Sequence, residues 1–309
     1  MTTDEYQDDY STAVRRLTKE LRTAAAGLND DAARYLVDTY YDMQHDRIRA
    51  AGQIRAVETE PPNAVVSWLS SSFEILEEGI KSALNQYTLN HKMGSWMREV
   101  YGIGPVLSAG LLAHIYMGKW CSVCHGRNRA DCKRRQEDKK FNVAPHGYQE
   151  EISLPTTGRI WQFAGIAGDD QKPWKQGEKR PHNARLKTLT WKVGQSFMKF
   201  SGSPKCYYGK LYQTQKTKYQ TNNLAFQYRT KALMLSANVG RETEAWKSYS
   251  KGVLSPGHID AMARRWVVKL FLAHMHDEWY SRVFGKAPPS PYPMAVLGHT
   301  HFIPARAAE

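Results

Sequence analysis

Long apolar runs are missing from this 309-residue chain, and their absence excludes the membrane-spanning class first. A span needs about 18 or more apolar residues in succession, and the longest candidate, residues 106–115, is far shorter. The opening residues, Met-Thr-Thr-Asp-Glu-Tyr, carry neither the basic start nor the apolar stretch of a secretory signal, so a cytoplasmic protein is expected. Cysteine is scarce as well. Four in the whole chain cannot make a disulfide scaffold. What is present is 41% hydrophobic residues with 11% aromatics, enough to bury a core in one large domain or two small ones and too much for wholesale disorder.

Acidic side chains are the next scarcity, and it is local. The chain holds 43 Lys and Arg against 30 Asp and Glu, a net charge of +13. Residues 1–100 are acidic on balance, with 11 basic and 16 acidic side chains. Residues 171–235 carry 14 basic side chains and 1 acidic one, so this one stretch equals the whole net charge.

The first hundred residues also lack any alternation of apolar and polar β-branched residues, and they read as helix throughout. In residues 30–57 the side chains Ala33, Leu36, Val37, Tyr40, Met43 and Ile48 recur at three- and four-residue steps, with Asn29 or Asp30 placed to cap. Glu60-Pro61-Pro62 breaks the pattern, and Asn63 is positioned to cap a second helix through Trp68, Phe73, Leu76 and Ile80. A helical hairpin is expected. Asp38, Asp42 and Asp46 stand four apart on its first helix; with Arg34 and Arg49 in reach they read as a solvated acidic stripe rather than a metal site.

Residues 97–115 contain Tyr101-Gly102-Ile103-Gly104-Pro105-Val106-Leu107-Ser108-Ala109-Gly110. A polar helix ends at Val100 or Tyr101, Gly-Ile-Gly turns the chain, and Pro105 suits the first turn of a new helix. The small residues Ser108, Ala109 and Gly110 allow the preceding helix to come close. This is a helix-hairpin-helix pattern, in which Gly102, Ile103, Gly104 and Pro105 can present backbone N–H groups to a phosphate. Such contacts hold a duplex without reading its sequence.

Three of the four cysteines, Cys121, Cys124 and Cys132, fall in a polar interruption of the helical pattern. Cys121-x2-Cys124 is a chelating spacing, because two thiolates across a tight turn can take adjacent corners of a tetrahedron. Cys132 adds a third ligand. His125, His146 and Cys206 are all candidates for the fourth, with His125 placed in the expected set, and structural zinc is the expected ion.

The basic stretch pairs a loop rich in Lys, Gly and Pro with a helix beginning near Asn183. Lys175, Lys179, Arg180, Asn183, Arg185, Lys187 and Lys192 are the expected phosphate-gripping residues, and nucleic acid, most simply DNA, is the expected partner. Aromatics such as Trp174, Tyr207 and Tyr212 are interleaved with the charge and could stack on unpaired bases. Trp191 and Phe197, at helical spacing, read as core. A last helix, residues 256–283, carries a buried stripe through Ile259, Ala263, Val267 and Phe271.

With these residues in view the chain resembles the Piv-like, bridge-RNA-guided insertion-sequence transposases, in the C-terminal half of that family. Their helix-hairpin-helix is matched by residues 102–113, the aromatic-Ala-Gly element that follows by Phe163-Ala164-Gly165, and their basic turn into a helix by residues 177–187. About a hundred residues are covered, and the cysteine segment looks like an insertion. The family's serine nucleophile has no match, since no serine lies between Ser153 and Ser196. Asp169 and Asp170 stand near its place. Its magnesium-binding, β-rich RuvC-like half has no match either.

The resemblance therefore implies a transposase-like DNA-binding protein of a mobile element or phage, in a bacterial or phage-infected cell, without serine recombinase chemistry. The alternative is an active transposase, recombinase or junction-processing enzyme with other catalytic residues, which would need magnesium. The expected fold is mainly α: an acidic helical domain over residues 1–91, the helix-hairpin-helix over 92–118, the cysteine-rich insertion over 119–157, and a basic helical domain over 158–309.

Overall fold

The computed structural model describes residues 19–56, 63–124, 126, 129–153, 156–168, 174–178, 180–289 and 303–305. It is mainly helical, as the sequence patterns require. The chain forms two units, Met1–His114 and Ile115–Glu309.

Capping chemistry sets the helix starts in the first unit. After the short helix α1 (Lys19–Ala26), Asn29 accepts a hydrogen bond from Ala32 N at 2.8 Å and opens α2 (Asp30–Ala56). Asn63 accepts from Val65 N at 2.9 Å and opens α3 (Ala64–Asn90); an amide oxygen in this position satisfies one of the donors a helix leaves open at its start. The expected hairpin is formed by these two long helices. Two polar ties run between them: Arg47 Nε donates to the buried Glu77 at 2.6 Å, and the Tyr87 hydroxyl donates to Asp30 at 2.9 Å. Of the acidic stripe, Asp46 pairs with Arg49 at 3.3 Å, while Arg34 pairs with Asp31.

Two further helices follow among the described residues of this unit, α4 (Gly94–Glu99) and α5 (Pro105–His114). Gly102 lies between them with φ of +96°, a left-handed backbone that side-chain-bearing residues rarely adopt. Val106 and all of residues 108–113 are buried, so α5 is apolar nearly all round and belongs to the core. It packs chiefly on α2 and α3, and less on α4. The small residues of α5 thus serve the long hairpin more than the preceding helix.

The second unit opens with a two-stranded antiparallel ribbon, β1 (Gly118–Cys121) against β2 (Glu150–Ser153), with Cys121 opposite Glu150. Helix α6 (Arg129–Glu137) lies in the connection. Then come α7 (Thr157–Phe163), α8 (Ala184–Lys199), α9 (Tyr207–Leu224), α10 (Arg229–Ser236), α11 (Glu244–Tyr249) and α12 (Pro256–Phe284). Asn183 caps α8 by accepting from Leu186 N at 3.0 Å. Ser255 caps α12, with Pro256 in its first turn and Gly285 closing it.

Helices α8, α9 and α12 meet on a fully packed aromatic cluster. Phe197 stacks on Tyr208 at 4.9 Å between centroids, and Phe271 meets both edge-on at 5.5 and 5.3 Å. The Tyr208 hydroxyl bonds His274 Nδ1 at 3.0 Å, and His274 Nε2 faces the Ile303 carbonyl at 2.9 Å. A carbonyl only accepts, so Nε2 carries the proton and Tyr208 donates. Phe197 is core as expected. Trp191, expected there too, is not: it is 59% exposed.

In the first unit two histidines are held neutral. Burial pushes His91 down to about 4, helped by Lys92, and pushes His114 down to about 4, helped by Arg34. Below pH 6.5 the unfolded chain takes up protons there that the folded chain refuses, so stability falls as pH drops toward 4. Each such proton shifts the unfolding equilibrium about tenfold per pH unit. Denaturant midpoints measured between pH 7 and 5 should fall, and more shallowly in a His91→Gln/His114→Gln variant; an unchanged slope there would refute the assignment.

Candidate functional site

The cysteine cluster is assembled by the ribbon. Because Cys121 ends β1 opposite the start of β2, the residues just before β2 are folded back beside it, and Ser122 N donates to the Gln149 carbonyl at 2.9 Å. This brings His146 to the cysteines. Its Nε2 lies 3.3 Å from Cys121 Sγ and 3.3 Å from Cys132 Sγ. Cys124 joins from the turn after β1, and Cys132 from the first turns of α6.

All four ligand atoms, from Cys121, Cys124, Cys132 and His146, lie within 4.8 Å of one another, and the three cysteines are buried. Ligand atoms around a tetrahedral zinc stand about 3.8 Å apart for Zn–S bonds of about 2.3 Å, so the group fits a metal ion. Its surroundings fit as well. His146 Nδ1 faces the Ala144 carbonyl at 2.9 Å, which makes Nδ1 the protonated nitrogen and leaves the Nε2 lone pair for the metal. Gln136 bonds Cys132 Sγ through Nε2 and takes the His146 backbone N–H on its oxygen at 2.8 Å. Val143 and Tyr148 pack over the sulfurs.

The charges within the cluster are divided among its own members, and burial together with the bonds to Cys124 and Cys121 pushes the Cys132 thiol up to about 11. Burial raises the Cys121 thiol, but backbone groups at Cys124, Gln149 and Val123 outweigh it and pull the thiol down to about 5. His146 is raised to about 9, first by its bond to the Ala144 carbonyl. A metal replaces a proton at such a cluster, so binding weakens as pH falls. Among the described residues the fourth member of the cluster is His146, the more distant of the two histidines considered; His125, preferred on the sequence, lies outside the described residues. Cys206 is elsewhere, buried at the start of α9.

The basic residues have a different setting. Helix α8 buries Leu186, Leu189, Val193 and Phe197 and turns Arg185, Lys187 and Trp191 to solvent. Lys175 and Arg180 are exposed in the loop before it, Lys192 is half-buried, and Lys179 lies outside the described residues. Asn183 spends its side chain on the helix cap, and its own N–H donates to the Phe163 carbonyl at 2.8 Å. Asp169 and Asp170 lie outside the described residues.

That last bond fixes the loop after α7 against the start of α8. Gly165, with φ of +67°, permits the approach: a Cβ there would stand 2.8 Å from the His182 ring. Between α8, α12 and this loop runs a groove with one lobe of about 440 Å³ and another of about 510 Å³. Trp174, His182, Lys187 and Trp191 line both lobes, Arg180 one, and Arg264 and Arg265 the other. Of the residues chosen from sequence, Lys187 and Arg180 reach this groove; Lys175, Arg185 and Lys192 do not line it. Arg264, Arg265, His182 and the exposure of Trp191 were missed. The phase of Trp191, one residue past the buried Thr190 of the 186–189–190–193–197 stripe, is the signal that places it outside.

Gly102, Ile103, Gly104 and Pro105 belong to the first unit. Ile103 is buried and its N–H is spent on the Val100 carbonyl at 3.0 Å. Gly104 is unlike Gly102, for a Cβ on it would meet nothing within 4 Å.

No protein-family model matches this chain, and neither a curated protein nor a solved structure matches it. Among the described residues, no helix is long and apolar enough to cross a membrane.

One tightly held metal ion per chain is the expected result of elemental analysis on protein purified without chelator. His146→Ala and Cys132→Ser should each lose it, and His125→Ala should keep it. Metal retained by His146→Ala but lost from His125→Ala would reverse the ligand assignment.

Proposed function

We propose that this chain is a transposase-like DNA-binding protein that grips the phosphate backbone through its helix-hairpin-helix and its basic segment. Serine recombinase chemistry has no part in it, and zinc on Cys121, Cys124, Cys132 and His146 is its structural ion. The observation that carries the reading is the basic segment: Lys175, Arg180, Arg185 and Lys187 stand exposed on a stretch with 14 cations and 1 acid. Concentrated positive charge of this kind has polyphosphate as its natural counterpart. The order of hairpin, aromatic-Ala-Gly and basic turn supports the transposase-like reading.

The hairpin supports the same reading on a smaller scale. The first turn of α5 has N–H groups without intrahelical acceptors, and Gly104 leaves the space before them open. Zinc suits the sulfur-rich, closed ligand set, which leaves no corner for a substrate. The partner is accordingly DNA, met in the cytoplasm of a bacterial or phage-infected cell.

Affinity for a short duplex, measured by fluorescence anisotropy over a range of salt, should fall linearly on logarithmic axes, with a slope of about −0.9 per phosphate contacted. The variant Arg185→Ala/Lys187→Ala should make the slope shallower by up to about two. Gly104→Leu places its Cβ where nothing lies within 4 Å and should fold, yet weaken binding to all duplex sequences alike. A salt-independent affinity, or none, would overturn the proposal; undiminished binding by Gly104→Leu would remove the hairpin from it.

A further inference from the structure

We propose that the groove between α8 and α12 holds an unpaired nucleotide of a DNA strand, its base on an indole face and its phosphate on the surrounding cations. The inference rests on the DNA-binding reading and deepens it, because it names the form of DNA this groove selects.

Trp191 is 59% exposed and Trp174 40%, and both line the same groove. A large apolar ring left in water on a charged surface is a contact surface in waiting. Trp174 is held for it: its Nε1 donates to the Glu178 carbonyl at 2.7 Å, and the Arg180 guanidinium lies 4.8 Å over its ring. Stacking partners fixed in advance lose little entropy on binding.

Among the described residues the Lys, Arg, Asp and Glu side chains that line the two lobes are Arg180, Lys187, Arg264 and Arg265; the Glu178 carboxylate lies in the same loop, where it accepts from Lys175 N at 3.3 Å. Among the described residues neither Arg180 nor Lys187 has an ion-pair partner. Arg264 is anchored differently, by Asp260 at 2.7 Å, and Asp260 also takes Lys216 at 3.0 Å. One guanidinium of the groove is therefore held in place while Lys187 and Arg180 remain for an incoming anion.

The occupant follows from this pairing of rings and cations. A lipid or acidic peptide would use the cations and leave the indoles bare. A base inside a duplex is already stacked on both faces and cannot offer one to tryptophan without leaving the stack. An unpaired base can, and base-on-aromatic stacking next to a basic groove is how single strands are held without regard to sequence. A lobe of about 440 Å³ is of the size that encloses one small ligand.

The test compares three labelled DNAs of one sequence: an intact duplex, the same duplex with a short single-stranded gap, and the free strand. The native chain should prefer the gapped and single-stranded forms. Trp191→Ala, a change at an exposed position, should lower affinity for those two about tenfold and leave the intact duplex unaffected, while Trp191→Phe should retain most of the preference. Equal loss on all three DNAs, or no loss, overturns the groove assignment with the DNA-binding reading intact. Failure to bind any of the three overturns that reading itself. Tighter binding of the equivalent RNA strand, or full competition by a mononucleotide at equal concentration, would overturn a DNA strand as the occupant.

Discussion

The arrangement of the second unit depends on how α8 lies against α12. A helix in a stretch with 14 cations can bury only the side that carries no charge, and on α8 that side is Leu186, Leu189, Val193 and Phe197. Phe197 drives into the cluster of Tyr208 and Phe271, which sets the helix's rotation about its own axis. Once that rotation is fixed, Lys187 and Trp191 have no freedom to face anywhere except the opening beside Arg264 and Arg265. Apolar packing thereby decides where the charge is displayed. A change at Phe197 would act on the groove without touching it.

Much of the fold was legible because its boundaries are chemical. Asn29, Asn63 and Asn183 cap where their side chains predict, and Pro105 and Pro256 sit in first turns. What was not legible is short or depends on distant partners. Strands of four residues, such as β1 and β2, are too brief for a periodic signal. The polar helix α9 shows little of one; its place is decided by Tyr208 and Tyr212 and by Asn223, whose side chain bonds both the N–H and the carbonyl of Leu254.

The cysteine cluster divides in the same way. Cys121, Cys124 and Cys132 were readable from spacing, because a chelating turn is a local device. The histidine was not, since choosing among His125, His146 and Cys206 requires knowing that the chain returns antiparallel to β1. The pairing of Cys121 with Glu150 is that missing fact. Metal and ribbon would then be mutually dependent: the ribbon brings His146 to the cysteines, and a bound ion would hold the two ends of the segment together. A segment with so few apolar residues of its own has little else to fold around.

The concentration of positive charge has a cost the apolar clusters must offset. Fourteen cations against one acid within residues 171–235 repel one another in the folded state more than in an extended chain; Lys216 is one that is neutralised internally, on Asp260. Salt lowers that repulsion, and a bound polyanion lowers it further by placing opposite charge within a few ångströms. Anion binding and folding of this unit are therefore linked: whatever binds the folded form alone stabilises it in proportion to the logarithm of its concentration. The aromatic core of Phe197, Tyr208 and Phe271 is the structural means by which that repulsion is carried in the free protein.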